Sequence, residues 1–176
     1  MIAHRAIRTI GSIAVFATLA IVLSSCESDD DSSCVGLSAA DTARIEAEVR
    51  QALDNYAASV LAGDRERVEF FWGDFEDFIH AGDGRVFGDR DAWISWMASN
   101  RPDETVSWEF SDVHVAVLGT KAASYTANFE VVNVVGGEES TTTGSWTYVL
   151  RKTEDGWRVV HSNGKHNEFS YYDQTG

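Results

Sequence analysis

The chain has 176 residues, with 28 acidic and 14 basic side chains for a formal charge of −14, 44% apolar content, and one proline, Pro102. The apolar share supports one hydrophobic core and excludes a disordered or collagen-like chain, while the acidic excess repels phosphate backbones and argues against nucleic acid as a partner. The two cysteines, Cys26 and Cys34, form neither a disulfide framework nor a zinc-spaced cluster.

Arg5 and Arg8 precede a charge-free run from Ile10 to Leu23, the order of a secretory signal. The run falls short of the roughly 20 residues that span a bilayer as a helix. Leu23-Ser24-Ser25-Cys26 resembles the bacterial lipobox, whose small residues admit a dedicated peptidase and whose cysteine thiol receives the lipid. The expectation is that residues 1–25 are removed and that Cys26 is acylated, with palmitate among the chains. The protein is then extracytoplasmic, held on the cell membrane or outer membrane. Processing would leave 12 basic against 28 acidic side chains, a formal charge of −16. The alternative is an ordinary secretory signal, and only then is Cys26 free to pair with Cys34. Residues 26–40, rich in Ser and Asp, read as a solvated, self-repelling tether.

Helical periodicity begins next, with Ile45, Val49, Leu53, Tyr56 and Val60 on one face. Ser38 or Asp41 serves as the cap and Gly63 as the left-handed end, which bounds this helix near Ala40 and Ala62. Asp64 opens a second helix through Val68 to Trp72. Phe75–Ala81 and Arg85–Gly88 form a hairpin around Gly82-Asp83-Gly84. Asp89 caps a third helix that carries Trp93, Ile94, Trp96 and Met97 and stops at Asn100-Arg101-Pro102. Beyond Pro102 the pattern alternates. Four strands are expected over Thr105–Leu118, Lys121–Val135, Ser140–Lys152 and Trp157–Phe169, in antiparallel meander order. A phase shift near Ser111-Asp112 marks a bulge in the first of them. The plan is α+β: three N-terminal helices and a curved antiparallel sheet whose concave side the first helix closes.

Several local motifs in this order resemble the nuclear transport factor 2-like superfamily and, within it, the SnoaL-like group. They are Ala62-Gly63-Asp64 closing the long helix, Asp77-Phe78-Ile79-His80 before Gly82-Asp83-Gly84-Arg85-Val86, Gly88-Asp89-Arg90-Asp91-Ala92-Trp93, and Gly156-Trp157-Arg158-Val159-Val160-His161-Ser162. The resemblance covers residues 41–169, with 170–176 left as a tail. It implies a cone-shaped sheet wrapped around a pocket, on a fold that hosts isomerases, cyclases, dehydratases and simple binders. In the ketosteroid-isomerase branch an aspartate is the base near the end of the first strand. Here His80 stands near that position, so the carboxylate analogy lapses, although an imidazole of ordinary pKa can act as a base at neutral pH. Tyr125 or Tyr56 would supply an oxyanion donor.

His161 and His166, five apart on the last strand, point to opposite faces in a regular strand, so they do not make a joint metal site. His161, in phase with Trp157, Val159 and Asn163, is the better pocket-facing candidate. The aromatics are the larger signal, and Tyr56, Trp93, Trp108, Tyr125 and Trp146 join His161 as expected ligand-binding residues. Glu46, Glu48, Glu66, Glu69 and Asp74 read as a solvated surface. No phosphate loop or nucleophile elbow is present, and no cofactor or metal is expected. The functional expectation is a lipid-anchored protein whose cone binds a small, largely apolar molecule. The alternatives are an isomerase or hydro-lyase using His80 as general base, and an interaction module using the outer sheet face, through which two copies would also pair.

Overall fold

Ser38 starts the first helix, its hydroxyl accepting from the Asp41 N–H at 3.0 Å. The computed structural model describes residues 36–167. The signal segment 1–25, Cys26, Cys34 and the tail 170–176 lie outside the described residues. Helix α1 (Ala39–Leu61) buries Ile45, Val49, Leu53 and Tyr56 and ends at Gly63, whose φ of +66° is costly for a side chain with a Cβ. The short α2 (Arg65–Phe71) is capped by Asp64, and α3 (Arg90–Ser99) by Asp89, whose carboxylate accepts from the Ala92 N–H at 2.7 Å.

Between α2 and α3 lie β1 (Ile79–Gly82) and β2 (Arg85–Phe87), then follow β3 (Glu104–Gly119), β4 (Ala122–Val135), β5 (Glu138–Thr153) and β6 (Gly156–His166). They form one six-stranded sheet in the order β2-β1-β6-β5-β4-β3. Strands β3 to β6 run as the antiparallel meander the alternation predicts. The docking of β1 is new: it pairs parallel with β6, aligning His80 with Ser162 and Gly82 with Gly164.

The pairing register shifts at three places along β3, at Thr105/Ser107, Ser111/His114 and Val117/Gly119, and at one place along β6. In β3 the register shifts between Ser111 and His114, where Asp112 adopts a φ of +49° and its carboxylate accepts from the Asn128 amide at 2.8 Å. The bulge of β6 was not legible as a phase change: Val149 pairs with His161 but Leu150 with Val159, which leaves Val160 as the extra residue of β6.

Ile45, Val49 and Leu53 pack with Ala123, Tyr125, Leu150 and Val159 in the main core, all fully or almost fully buried. Each aliphatic side chain contributes about 1.5–3 kcal/mol by burial. A polar clamp sits on the same helix. The Glu48 carboxylate accepts from Lys152 Nζ at 2.6 Å, Arg44 at 2.8 Å and the Trp157 indole at 3.0 Å. Glu48 is therefore no solvated surface acid. These donors, Lys152 foremost, hold its pKa down to about 2.

Candidate functional site

A cavity of about 470 Å³ opens between the C-terminal end of α1, helices α2 and α3, and the concave face of the sheet. Tyr56 comes from α1, Trp93 from α3, His80 from β1, Trp108 from β3 and Trp146 from β5, all expected there, and all on the wall. Trp72, Phe129, Tyr148 and His166 complete its aromatic lining. Arg65, Glu69, Arg101, Asp103 and Glu104 add charged groups to the lining.

His80 lies deep in this wall. Its ring is stacked on Trp93 with centroids 3.5 Å apart and an interplanar angle of 14°, and it faces Trp146 at 5.6 Å and 19°. Cross-strand alignment with Ser162 brings Nδ1 to 2.7 Å from the fully buried serine hydroxyl. Burial pushes the His80 pKa down to about 3; the Asp83 charge opposes the shift and the His161 and His166 charges add to it. At neutral pH the ring is uncharged, and a base with so acidic a conjugate acid is weak.

Two expected wall residues are elsewhere. Tyr125 is 2% exposed and packs in the core against Phe110 and Tyr148, under α1 and within electrostatic reach of Arg50 and Asp54. Burial raises its pKa to about 12. The tyrosines on the cavity are Tyr56 and Tyr148. The reason is that α1 fills one end of the concave face, so only inward residues beyond its reach meet open space. His161 is not on the wall either, because the extra residue Val160 reverses the alternation of β6. Ser162, Gly164 and His166 turn inward and His161 outward.

His166, like Trp72, Phe129 and Tyr148, is a wall residue that the sequence reading did not select. Its Nδ1 meets the Asp83 carboxylate at 2.5 Å, and its backbone N–H donates to the other Asp83 oxygen at 3.0 Å. Asp83 occupies the β1–β2 turn with a φ of +49°, and the β1–β6 pairing sets that turn beside the end of β6. A carboxylate on one imidazole nitrogen fixes the ring's orientation and tautomer. Among the described residues no group of three or more His, Cys, Asp or Glu is arranged to hold a metal ion.

Four indole N–H groups, of Trp72, Trp93, Trp108 and Trp146, are buried with no hydrogen-bond acceptor. Each unsatisfied buried donor costs about 1–3 kcal/mol. All four belong to cavity residues, whereas Trp157, off the wall, gives its N–H to Glu48.

The sequence model of the SnoaL-like domain matches residues 49–164, from the middle of α1 to Gly164 in β6. The chain belongs to the SnoaL-like family. Solved structures of the nuclear transport factor 2-like superfamily share this fold. A superfamily protein from Salmonella enterica serovar Typhimurium aligns with a TM-score of 0.61 at 15% identity, over 73% of this chain and 94% of that one. A candidate scytalone dehydratase from Novosphingobium aromaticivorans aligns at 0.64 and 14% identity, over 76% and 91%. A protein of unknown function from Shewanella oneidensis aligns at 0.58 and 17% identity, over 69% and 98%. At these identities the likeness is one of fold. No curated protein matches the chain.

Proposed function

We propose that this is an exported, lipid-anchored binding protein whose SnoaL-like domain holds a small, largely apolar molecule in its cavity. The observation that carries the binding part is the cavity itself: about 470 Å³, walled by aromatic rings, with its deepest imidazole neutral. That volume lies in the range of small-molecule sites, and the aromatic walls suit an apolar guest. The anchoring part is supported by the order of Arg5, Arg8, the apolar run and Cys26.

The test expresses the full chain in a lipoprotein-processing bacterium, isolates the membrane fraction, and extracts the purified protein with organic solvent for mass spectrometry. The expected results are an acylated N-terminal peptide and a stoichiometric apolar small molecule. Cys26→Ser removes the acyl mass and releases the protein from the membrane, and equal membrane fractions for both forms refute the anchor. Failure to retain or bind any apolar compound refutes the binding role.

A second reading, an enzyme of the isomerase or hydro-lyase kind, is favoured by one observation, the Asp83 carboxylate on His166 Nδ1 at the cavity wall. In that reading the base is His166 and not His80. Asp83→Asn then lowers turnover of a captured substrate by roughly 10²–10⁴ while its binding survives; unchanged turnover removes the reading.

A further inference from the structure

The Trp146 ring is laid flat on the concave face of the sheet, and two glycines beneath it make the room. A Cβ at Gly82 of β1 would lie 2.7 Å from its Cη2, and one at Gly164 of β6 would collide with Cδ2 and Cε3 on the other side of the same ring. With one face resting on those strands, the opposite face is turned to the concave side, where the cavity lies. Its Nε1 is sealed while the residue stays only half-buried, so the surface it leaves open is ring carbon. Phe129 and His166 stand inclined beside it at 58° and 60°, with centroids 6.3 and 5.4 Å away, and His80 lies nearly parallel beside it at 19°. The result is an open box with an indole floor.

An indole face is the best aromatic surface for a cation. The chain already uses such contacts elsewhere. The Arg85 guanidinium lies 5.3 Å over Trp96, at the outer end of the stacked run Trp96–Trp93–His80–Trp146, and Arg158 lies 3.0 Å over Phe70. Among the described residues no cation lies over Trp146. The charges around the box agree. His80 is uncharged at neutral pH, and Asp83 offsets the His166 ring in either charge state of that ring. On the lining Arg65 pairs with Glu69 at 3.6 Å, which leaves the exposed Asp103 and Glu104 against Arg101. Glu104 makes no ion pair or hydrogen bond among the described residues. The chain's net charge of −14 draws cations toward that rim and repels anions.

We propose that the cavity selects a cationic guest, a small apolar body bearing a substituted ammonium group that rests on the Trp146 face between Phe129 and His166. This deepens the binding reading above and rests on it. A fully substituted ammonium spreads its charge over methyl groups, so it exchanges water for ring faces more readily than a compact ammonium does.

The test uses three probes with one benzyl body and a tetrahedral head: benzyltrimethylammonium, its neutral carbon isostere neopentylbenzene, and the anion phenylmethanesulfonate. Binding to the full chain is measured by equilibrium dialysis. The cation is expected to bind about tenfold more tightly than the neutral isostere, and the sulfonate most weakly. Raising the salt from about 0.05 to about 0.5 M narrows the gap between cation and isostere by screening the rim. Glu104→Gln narrows it about two- to threefold, the worth of an exposed charge, and Trp146→Leu closes it. Because Trp146→Leu can lose the fold, the wild-type complex gives an independent readout: the ammonium methyl protons move upfield on binding, as protons held over ring faces do. Equal affinity for cation and isostere, a gap that survives both substitutions, or unshifted methyl protons overturns the inference and leaves the binding role standing. Tightest binding of the sulfonate overturns it in favour of an anionic guest, and no binding by any of the three overturns both readings.

Discussion

Replacing His80 by asparagine removes a proton-binding site that folding suppresses. The folded pKa is about 3, against about 6.5 for the exposed side chain. The depressed value means that protonation favours the unfolded chain. The stabilising contribution is whole above pH 6.5 and is lost as pH falls through the window from 6.5 to 3. One pKa unit corresponds to about 1.4 kcal/mol, so at pH 4.5 the wild type has lost between about 2 and 3 kcal/mol through this one ring. Asparagine places an amide where Nδ1 faced Ser162, but it has no stack on Trp93 and does not titrate. Its baseline stability is lower while its pH dependence is shallower. Denaturant unfolding at pH 7 and 4.5, at constant ionic strength, measures the difference of differences, in which carboxylates common to both proteins cancel. Carbon–proton correlation spectra of the imidazole Cε1 groups report the same quantity directly. A His80 resonance titrating near 6.5, or equal pH effects in wild type and His80→Asn, would show that the ring is not buried neutral and that the cavity is wetter than the structure has it.

Two further substitutions probe how the site is supported. Glu48→Gln weakens the clamp of α1 on β5 and β6 and costs about 1–2 kcal/mol at pH 7, the half-exposed position being partly screened by solvent. Since the Glu48 pKa is lowered, the deficit is present above about 4.5 and shrinks as pH falls toward 2; unfolding curves that stay equally separated down to pH 3 refute the clamp. Gly164→Ala would drive its Cβ into the Trp146 ring and to 2.6 Å from the Ser145 carbonyl oxygen, so a loss of about 1–3 kcal/mol and weaker ligand binding are expected. An unchanged melting temperature contradicts the close approach of β6 to Trp146.

Local chemistry alone determined much of this protein. The spacing of Ile45, Val49, Leu53 and Tyr56 determines one buried stripe whatever it packs against, and Ser38, Asp64 and Asp89 cap helices through contacts three residues away. The reversal of phase at Asp112 marked a bulge because polar residues there break an alternation that one buried face imposes. Tyr56, Trp93, Trp108 and Trp146 could be selected as wall residues because large rings on inward faces near a curved sheet have few other places to go.

The tertiary structure decided what depends on partners far apart in the chain. The parallel docking of β1 on β6 joins His80 to Ser162, 82 residues later, and Asp83 to His166, 83 residues later, and no local pattern encodes either pair. The extra residue at Val160 lies in a run where both faces are buried, so the phase change left no trace in hydropathy, yet it exchanges His161 for His166 on the wall. Tyr125 and Tyr148 are cross-strand partners on the same face, and only the reach of α1 decides that Tyr148 borders the cavity and Tyr125 does not. Burial then sets the protonation of His80, because the cost of charging a ring depends on the water removed around it, which is a property of the packed whole.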